Sequence, residues 1–103
     1  MSEKQLAVQA DFMKALAHPT RLHIMEILRS GEKCVCDIVP ELGLEQPNVS
    51  RHLAVLKREG ILQSRKDGLR VIYWAASPQI HDIIDLTTEA IRQIWTEKAE
   101  IMS

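Results

Sequence analysis

The chain has 103 residues, of which 46% are hydrophobic and 26% are charged, as is usual for a globular protein. No run approaches the roughly 18 consecutive apolar residues of a membrane span, and no secretion signal is apparent, so we expect a soluble, cytoplasmic protein without a membrane partner. This length fits one domain over residues 1–103 that is small enough to gain stability from a partner subunit.

The net charge of −1 hides a basic segment in the second half of the chain. Between residues 46 and 70 there are six basic and two acidic residues, a net charge of +4, and the other segments together carry −5. Such a basic surface on an acidic body attracts phosphate groups, although a solvated run of charges would have the same composition.

The first two helices are predicted by apolar residues at three- and four-residue spacing. The stripe of the first helix is formed by Leu6, Ala10, Met13 and Leu16, and that of the second by Leu22, Met25 and Leu28. His18 ends the first helix, Pro19 opens the second because proline is tolerated in a first turn, and Gly31 stops it. We therefore expect both helices to contribute core and scaffold.

Two further helices are predicted on either side of a tight turn at Gly43. The third runs from about Cys36 to Leu42, and the fourth begins at Gln46 and stops near Gly60. Two short helices joined in this way, the second polar at its start, are typical of a helix-turn-helix whose second helix enters the major groove of DNA.

The start of the fourth helix holds the candidate DNA-reading residues. They are polar and lie within two turns: Gln46, Asn48, Ser50, Arg51 and His52. Amide side chains suit adenine and a guanidinium suits guanine, while serine and arginine also bind phosphate. Val49, Leu53 and Leu56 recur at helical spacing and anchor the opposite face to the core. The alternative for His52 is a surface histidine packed on its neighbour.

A β-hairpin is predicted after the fourth helix, because two strand-like segments flank Asp67-Gly68, a pair typical of a two-residue turn with positive φ. The segments are residues 61–66 and 69–74. We expect this wing to bring Arg65, Lys66 and Arg70 to the DNA backbone or minor groove.

The last helix opens at Ser77-Pro78 and carries a longer apolar stripe than a small core requires. The stripe consists of Ile80, Ile83, Ile84, Thr87, Ile91, Ile94 and Trp95. We interpret the surplus, together with part of the first helix, as a dimer interface. The predicted fold is mainly α with a β-hairpin wing: a winged helix-turn-helix of five helices, forming a homodimer through the first and last helices. Its partner would be double-stranded operator DNA with half-sites about one helical turn apart.

Two thiols lie at the start of the third helix, where Cys34 takes the N-cap position and Asp37 the place of a capping-box acid. Serine or threonine would cap better, so Cys34 indicates sulfur chemistry, although buried cysteines also serve as inert small hydrophobes. A disulfide between Cys34 and Cys36 would staple no distant parts of the fold, so we expect reduced thiols. Side chains two residues apart on a helix point about 200° apart, so chelation by both should distort the first turn and misalign the fourth helix.

Three segments resemble the ArsR/SmtB family of winged-helix metal-sensing repressors, and the resemblance covers nearly the whole chain. Residues 15–22 (ALAHPTRL) resemble the start of the family's second helix, and residues 46–53 (QPNVSRHL) its recognition helix. Residues 34–37 (CVCD) resemble the arsenic-responsive branch and the related cadmium and lead sensors. The resemblance implies a dimer that represses its own operon, needs no cofactor to bind DNA, and releases the promoter on binding toxic metal or metalloid.

The inducer follows from the ligand chemistry. Thiolates are soft ligands, so Cys34 and Cys36 favour As(III) or Sb(III), with Cd(II), Pb(II), Zn(II) and thiol oxidation as alternatives. Arsenic-responsive relatives have a third cysteine where this chain has Val39. The third ligand would then be water, an exogenous thiol, or a side chain such as His18 or Asp37.

The second metal site of zinc-responsive relatives is missing from the last helix by residue type. Its positions are occupied by Ser77, Gln79, Ala90 and Gln93. His81, Asp82 and Asp85 lie nearby but do not follow the pattern, and we interpret them as solvated helix surface.

An enzyme is not expected, because the sequence has no glycine-rich phosphate loop, no serine nucleophile motif, and no Cys-x-x-Cys beside a βαβ pattern. A protein-interaction module that uses the apolar stripe of the last helix without binding DNA is the alternative from another class. Salt-sensitive DNA binding distinguishes the two, since only the regulator requires it.

Overall fold

Five helices and a three-stranded sheet make up the fold, in the order that the sequence predicts but with one strand added. The computed structural model describes the backbone of residues 1–102 and the side chains of residues 1–98. The elements are α1 (Glu3–Leu16), α2 (Pro19–Ile27) with a 3-10 turn (Leu28–Ser30), β1 (Lys33–Cys34), α3 (Val35–Leu42), α4 (Gln46–Arg58), β2 (Leu62–Asp67), β3 (Arg70–Ala75) and α5 (Gln79–Met102). None of the described helices is both long and apolar enough to cross a membrane.

The helix boundaries follow from local chemistry. His18 caps α2 with its side chain, since Nδ1 accepts a hydrogen bond from the Thr20 amide at 3.0 Å, and Pro19 opens the helix as predicted. Gly43 ends α3 with a φ of 67°, a left-handed conformation that costs glycine little. At the start of α5, the Ser77 hydroxyl accepts from the Gln79 amide at 3.2 Å.

The sheet differs from the predicted hairpin in two respects. Its order is β1-β3-β2, so a two-residue strand before α3 pairs with the wing, with Cys34 opposite Ile72. No periodicity can be read from two residues, which is why the sequence did not predict β1. In the hairpin, Asp67 pairs with Arg70, so the turn is Gly68-Leu69 and not Asp67-Gly68. Gly68, with a φ of 64°, then takes the first turn position, where positive φ is required.

The core lies where α2, α3 and α4 meet the base of the wing. Its fully buried side chains are Ile24, Met25, Ile38, Val49, Leu53, Leu56, Ile61 and Leu62. The predicted inner face of α4 is thereby confirmed. The expectation that α1 is a core helix was wrong for most of its length, since only Ala15 and Leu16 are buried while Leu6 and Met13 are more than half exposed. In the single chain, Leu6 and Met13 therefore remain largely accessible to solvent.

Candidate DNA interface and thiol pocket

The outer face of α4 presents three of the predicted DNA-reading residues to solvent. Gln46, Ser50 and Arg51 are exposed, and Asn48 is half-buried. The Arg51 guanidinium donates a hydrogen bond to the Asn48 side-chain oxygen. By helical spacing Arg51 lies opposite the buried residues of α4, Gln46 and Ser50 lie on one flank, and Asn48 lies on the other. Amide, hydroxyl and guanidinium groups are therefore spread over the side of α4 that the core leaves open, as a recognition helix needs.

His52 lies one turn after Asn48 on the same flank of α4, where that flank meets α2. Its half-buried ring packs against His18 with 4.5 Å between ring centroids, and its Nδ1 accepts a hydrogen bond from Arg21 Nε at 3.1 Å. Burial and the neighbouring charges of His18, Arg21 and Arg51 lower the pKa of His52. The structure thus places His52 in the packed arrangement that the sequence left as an alternative.

Two of the three wing cations, Arg65 and Arg70, have acidic partners within the described part of the chain. Arg65 forms a bidentate ion pair with Glu32, at 2.7 and 2.8 Å, and its guanidinium lies 5.5 Å from the centroid of the Trp74 ring. The Glu32 carboxylate raises the pKa of Arg65, and Arg65 lowers the pKa of Glu32. Arg70 is held more loosely, 3.9 Å from Asp37. Lys66 lies exposed on the same hairpin.

The two cysteines are joined by a disulfide, so the prediction of reduced thiols was wrong for this structure. Cys34 is the N-cap of α3, with an extended backbone (φ −70°, ψ 146°), and its sulfur accepts from the Cys36 amide at 3.0 Å. The predicted angle between the side chains applies only within a helix. Because Cys34 is just outside α3, the two sulfurs meet without unwinding the first turn, and the predicted distortion is not needed for both to share one ligand.

A pocket of about 250 Å³ lies beside these sulfurs, bounded by the starts of α3 and α4 and by the wing. Its lining residues are Cys34, Val35, Cys36, Gln46, Ser50, Leu53, Leu69, Arg70, Val71 and Tyr73. Cys34 is buried whereas Cys36 is exposed to the pocket side. Gln46, Ser50 and Arg70, three residues predicted to contact DNA, therefore share a cavity with the thiol pair.

Sequence and structure comparisons place this architecture among known regulators. Residues 18–64 match the family model described as bacterial regulatory protein, arsR family. The HTH-type transcriptional regulator Rv0081 of Mycobacterium tuberculosis is 31% identical over 98% of this chain and 90% of its own length. Its crystal structure superposes with a TM-score of 0.86, covering 95% of this chain and 99% of that one, at 32% identity. The chain belongs to the arsR family.

Two further arsR-type proteins bear on function. The arsenical resistance operon repressor of Escherichia coli is 46% identical over 68 residues, which are 65% of this chain and 57% of that protein. A homodimeric winged helix-turn-helix DNA-binding domain, Mb0332 of Mycobacterium bovis, has a TM-score of 0.81 at 27% identity, covering 94% of this chain and 93% of that one. The chain is thus a winged helix-turn-helix regulator of the arsR family and not an enzyme, and its relatives support DNA binding and dimerisation.

The two candidate third metal ligands have other contacts in this arsR-family protein. Among the described residues, no three His, Cys, Asp or Glu side chains are grouped closely enough to hold one ion. His18 caps α2 and packs on His52, and Asp37 faces Arg70. Two adjacent sulfurs fit a soft ion chemically, but the described part of the chain supplies no further thiolate.

Two of the three polar residues near the start of α5, His81 and Asp85, are structural ties, whereas Asp82 lies on exposed helix surface as the sequence suggested. His81 Nε2 donates to the Met25 carbonyl oxygen at 2.7 Å, and Asp85 forms a bidentate pair with Arg29 at 2.8 and 3.0 Å. Arg29 lowers the pKa of Asp85. These contacts bind α5 to the end of α2, and the sequence did not reveal them because the partners are 56 residues apart.

Proposed function

We propose that this arsR-family chain is a dimeric repressor that releases operator DNA when Cys34 and Cys36 bind As(III) or Sb(III). The observation that supports this most directly is the shared pocket, in which the thiol pair faces Gln46, Ser50 and Arg70. A ligand held by the sulfurs occupies space beside side chains that the DNA would otherwise contact. The inducer and the DNA would then compete for the same surface. Induction would not require a conformational change transmitted between distant sites.

DNA contact is divided between α4 and the wing. Gln46, Asn48, Ser50 and Arg51 would reach base edges and nearby phosphates, because they lie on the part of α4 that the core does not cover. The basic side chains of the wing would bind backbone phosphates; they are Arg65, Lys66 and Arg70. His52 contacts Arg21 and His18 and would hold α4 in position without itself contacting DNA.

The cysteines suit a thiophilic inducer in their reduced form. Cys34 stands at a helix N-terminus, which favours the thiolate, and Cys36 is exposed for ligand entry. Soft thiolates select As(III), Sb(III), Cd(II) or Pb(II) over hard cations, with Zn(II) also able to bind sulfur. The E. coli relative's role in arsenical resistance favours the metalloids.

Thiol oxidation is the second candidate signal, and the disulfide between Cys34 and Cys36 favours it. Hydrogen peroxide would take two electrons and two protons from the thiols, forming the S–S bond and two waters. The disulfide removes the thiolates from the pocket, so oxidation and metalloid binding would exclude each other.

The dimer would form through α1 and α5. An apolar groove of about 440 Å³ runs between them, and most of the α5 stripe remains outside the single-chain core. The groove is lined by Met13, Lys14, Leu16, Ala17, Leu22, Ile83, Ile84, Thr87, Thr88 and Ile91. A second copy laying the same helices on this face would cover side chains that water otherwise contacts.

The test is fluorescence-anisotropy binding of the reduced protein to DNA from upstream of its own gene, at two salt concentrations. Arsenite, antimonite, cadmium, lead, zinc and hydrogen peroxide are titrated in parallel. Steeply salt-dependent binding released by arsenite or antimonite supports the proposal. Release by peroxide or a divalent ion alone reassigns the signal, and absence of salt-sensitive DNA binding contradicts the repressor.

A further inference from the structure

The thiol pocket is larger than the two sulfurs and one ion would fill. It measures about 250 Å³ and extends from Cys36 past Ser50 and Gln46 to Arg70 and Tyr73 on the wing. The sulfurs occupy only one wall of this space. A metalloid held by the sulfurs would leave room beside Gln46, Ser50 and Arg70 for a second ligand group.

The coordination number points the same way. As(III) and Sb(III) form three bonds, whereas this chain has two cysteines, and both lie in this pocket. His18 caps α2, Asp37 faces Arg70, and the described residues contain no cluster of three possible ligands. A third ligand from outside the described residues would complete the coordination.

The polar wall determines what kind of ligand fits. Arg70 carries a fixed positive charge, and its ion pair with Asp37 has the loose distance of 3.9 Å. Asp67 is its partner across the hairpin but does not line the pocket. Gln46 and Ser50 add hydrogen-bonding groups on the opposite side of the opening. A guanidinium flanked by neutral polar groups suits a carboxylate, which arginine binds with paired hydrogen bonds.

We propose that the pocket binds the metalloid together with a low-molecular-weight thiol that bears a carboxylate, its sulfur completing the coordination and its carboxylate facing Arg70. This rests on the proposed metalloid response. Two such thiols first reduce the Cys34–Cys36 disulfide and leave as their own disulfide. Arsenous acid then exchanges its three hydroxyls for the two protein sulfurs and one small-molecule sulfur, and the three thiol protons leave with the hydroxyls as three waters.

The test compares thiols of matched size and different charge. Protein reduced with a phosphine, which is then removed, is titrated with arsenite in the presence of mercaptoacetate, 2-mercaptoethanol or cysteamine. Native mass spectrometry reports the adduct, and calorimetry the affinity. The expected adduct is one arsenic and one mercaptoacetate per chain, with arsenite bound about fivefold more tightly with mercaptoacetate than with 2-mercaptoethanol, and more weakly still with cysteamine.

Two charge-neutralising variants locate the effect. Arg70→Gln should remove the preference for mercaptoacetate, while Arg58→Gln, at an exposed position outside the pocket lining, should keep it. An adduct containing arsenic without a small thiol, or equal affinities with all three thiols, overturns this inference and leaves the metalloid repressor standing. No arsenite binding with any thiol overturns both.

Discussion

Cys34 lies directly opposite Ile72 in the antiparallel pairing of β1 with β3, so the buried member of the cysteine pair is part of the wing's own sheet. The next residue, Val35, begins α3, which also contacts α4. One backbone segment therefore joins the thiol pair to both elements that would hold DNA. A ligand bound to these sulfurs would therefore affect the positions of both the wing and α4.

The thiols should be required for release and not for DNA binding. The double variant Cys34→Ser, Cys36→Ser keeps a side-chain cap on α3, because serine accepts a hydrogen bond from the helix amide at least as well as cysteine. We expect unchanged operator affinity and no response to arsenite in the anisotropy titration. Dissociation of the double variant on arsenite addition would contradict the assignment of the inducer site.

Neutralising Glu32 should strengthen DNA binding. Glu32 holds Arg65 in a bidentate pair that a DNA phosphate would have to displace. Both side chains are about half exposed, so the pair is weak, and we expect Glu32→Gln to raise affinity by about two- to fivefold. The slope of affinity against salt should also steepen by about one counterion. Glu89→Gln, on α5, is the control, and an affinity gain there of equal size would point to net charge alone.

Acid should destabilise the fold through His52. In the folded protein the pKa of His52 lies below the 6.5 that is usual for histidine, chiefly because of burial and then because of nearby charges. Between the folded pKa and 6.5 the unfolded chain binds more protons, so the free energy of unfolding decreases as pH falls through that window. Protonation of Nδ1 also removes the acceptor for Arg21.

Urea denaturation at several pH values measures this effect. His52→Gln should show a smaller loss of stability on acidification than the wild type, because glutamine does not titrate. His23→Gln, at an exposed position of α2, should retain the wild-type loss. Parallel acid profiles for wild type and His52→Gln would show that His52 does not cause the pH dependence.

A charge in the α1–α5 groove should separate the dimer. Ile91 lines the groove and is 47% exposed in the single chain, so glutamate there is tolerated in the monomer but not against a second copy. We expect Ile91→Glu to sediment as a monomer and to bind operator DNA much more weakly, since one subunit contacts one half-site. The control variant Gln93→Glu, at an exposed position of the same helix, should remain a dimer. A dimeric Ile91→Glu protein would place the interface elsewhere.

Much of the fold was predictable from local patterns. The spacing of apolar residues predicted α1, α2 and α5, and the tight turn at Gly43 predicted α3 and α4 on either side of it. Pro19 predicted the start of α2. These signals could be read because helix periodicity and backbone φ restrictions act between neighbours in the chain. The hairpin was predicted with its turn misplaced by one residue at Gly68. The position of Cys34 as an N-cap was also readable from sequence.

The sequence by itself determined the family, the helix-turn-helix with its wing, and the presence of two thiols before the reading helix. Only the tertiary structure decided that these thiols share a pocket with Gln46, Ser50 and Arg70. It also decided that Arg65 is held by Glu32, 33 residues away, and His52 by Arg21, 31 residues away. Such contacts depend on how helices and strands pack against one another. Local residue spacing and propensity do not indicate which residues, so far apart in the chain, will meet.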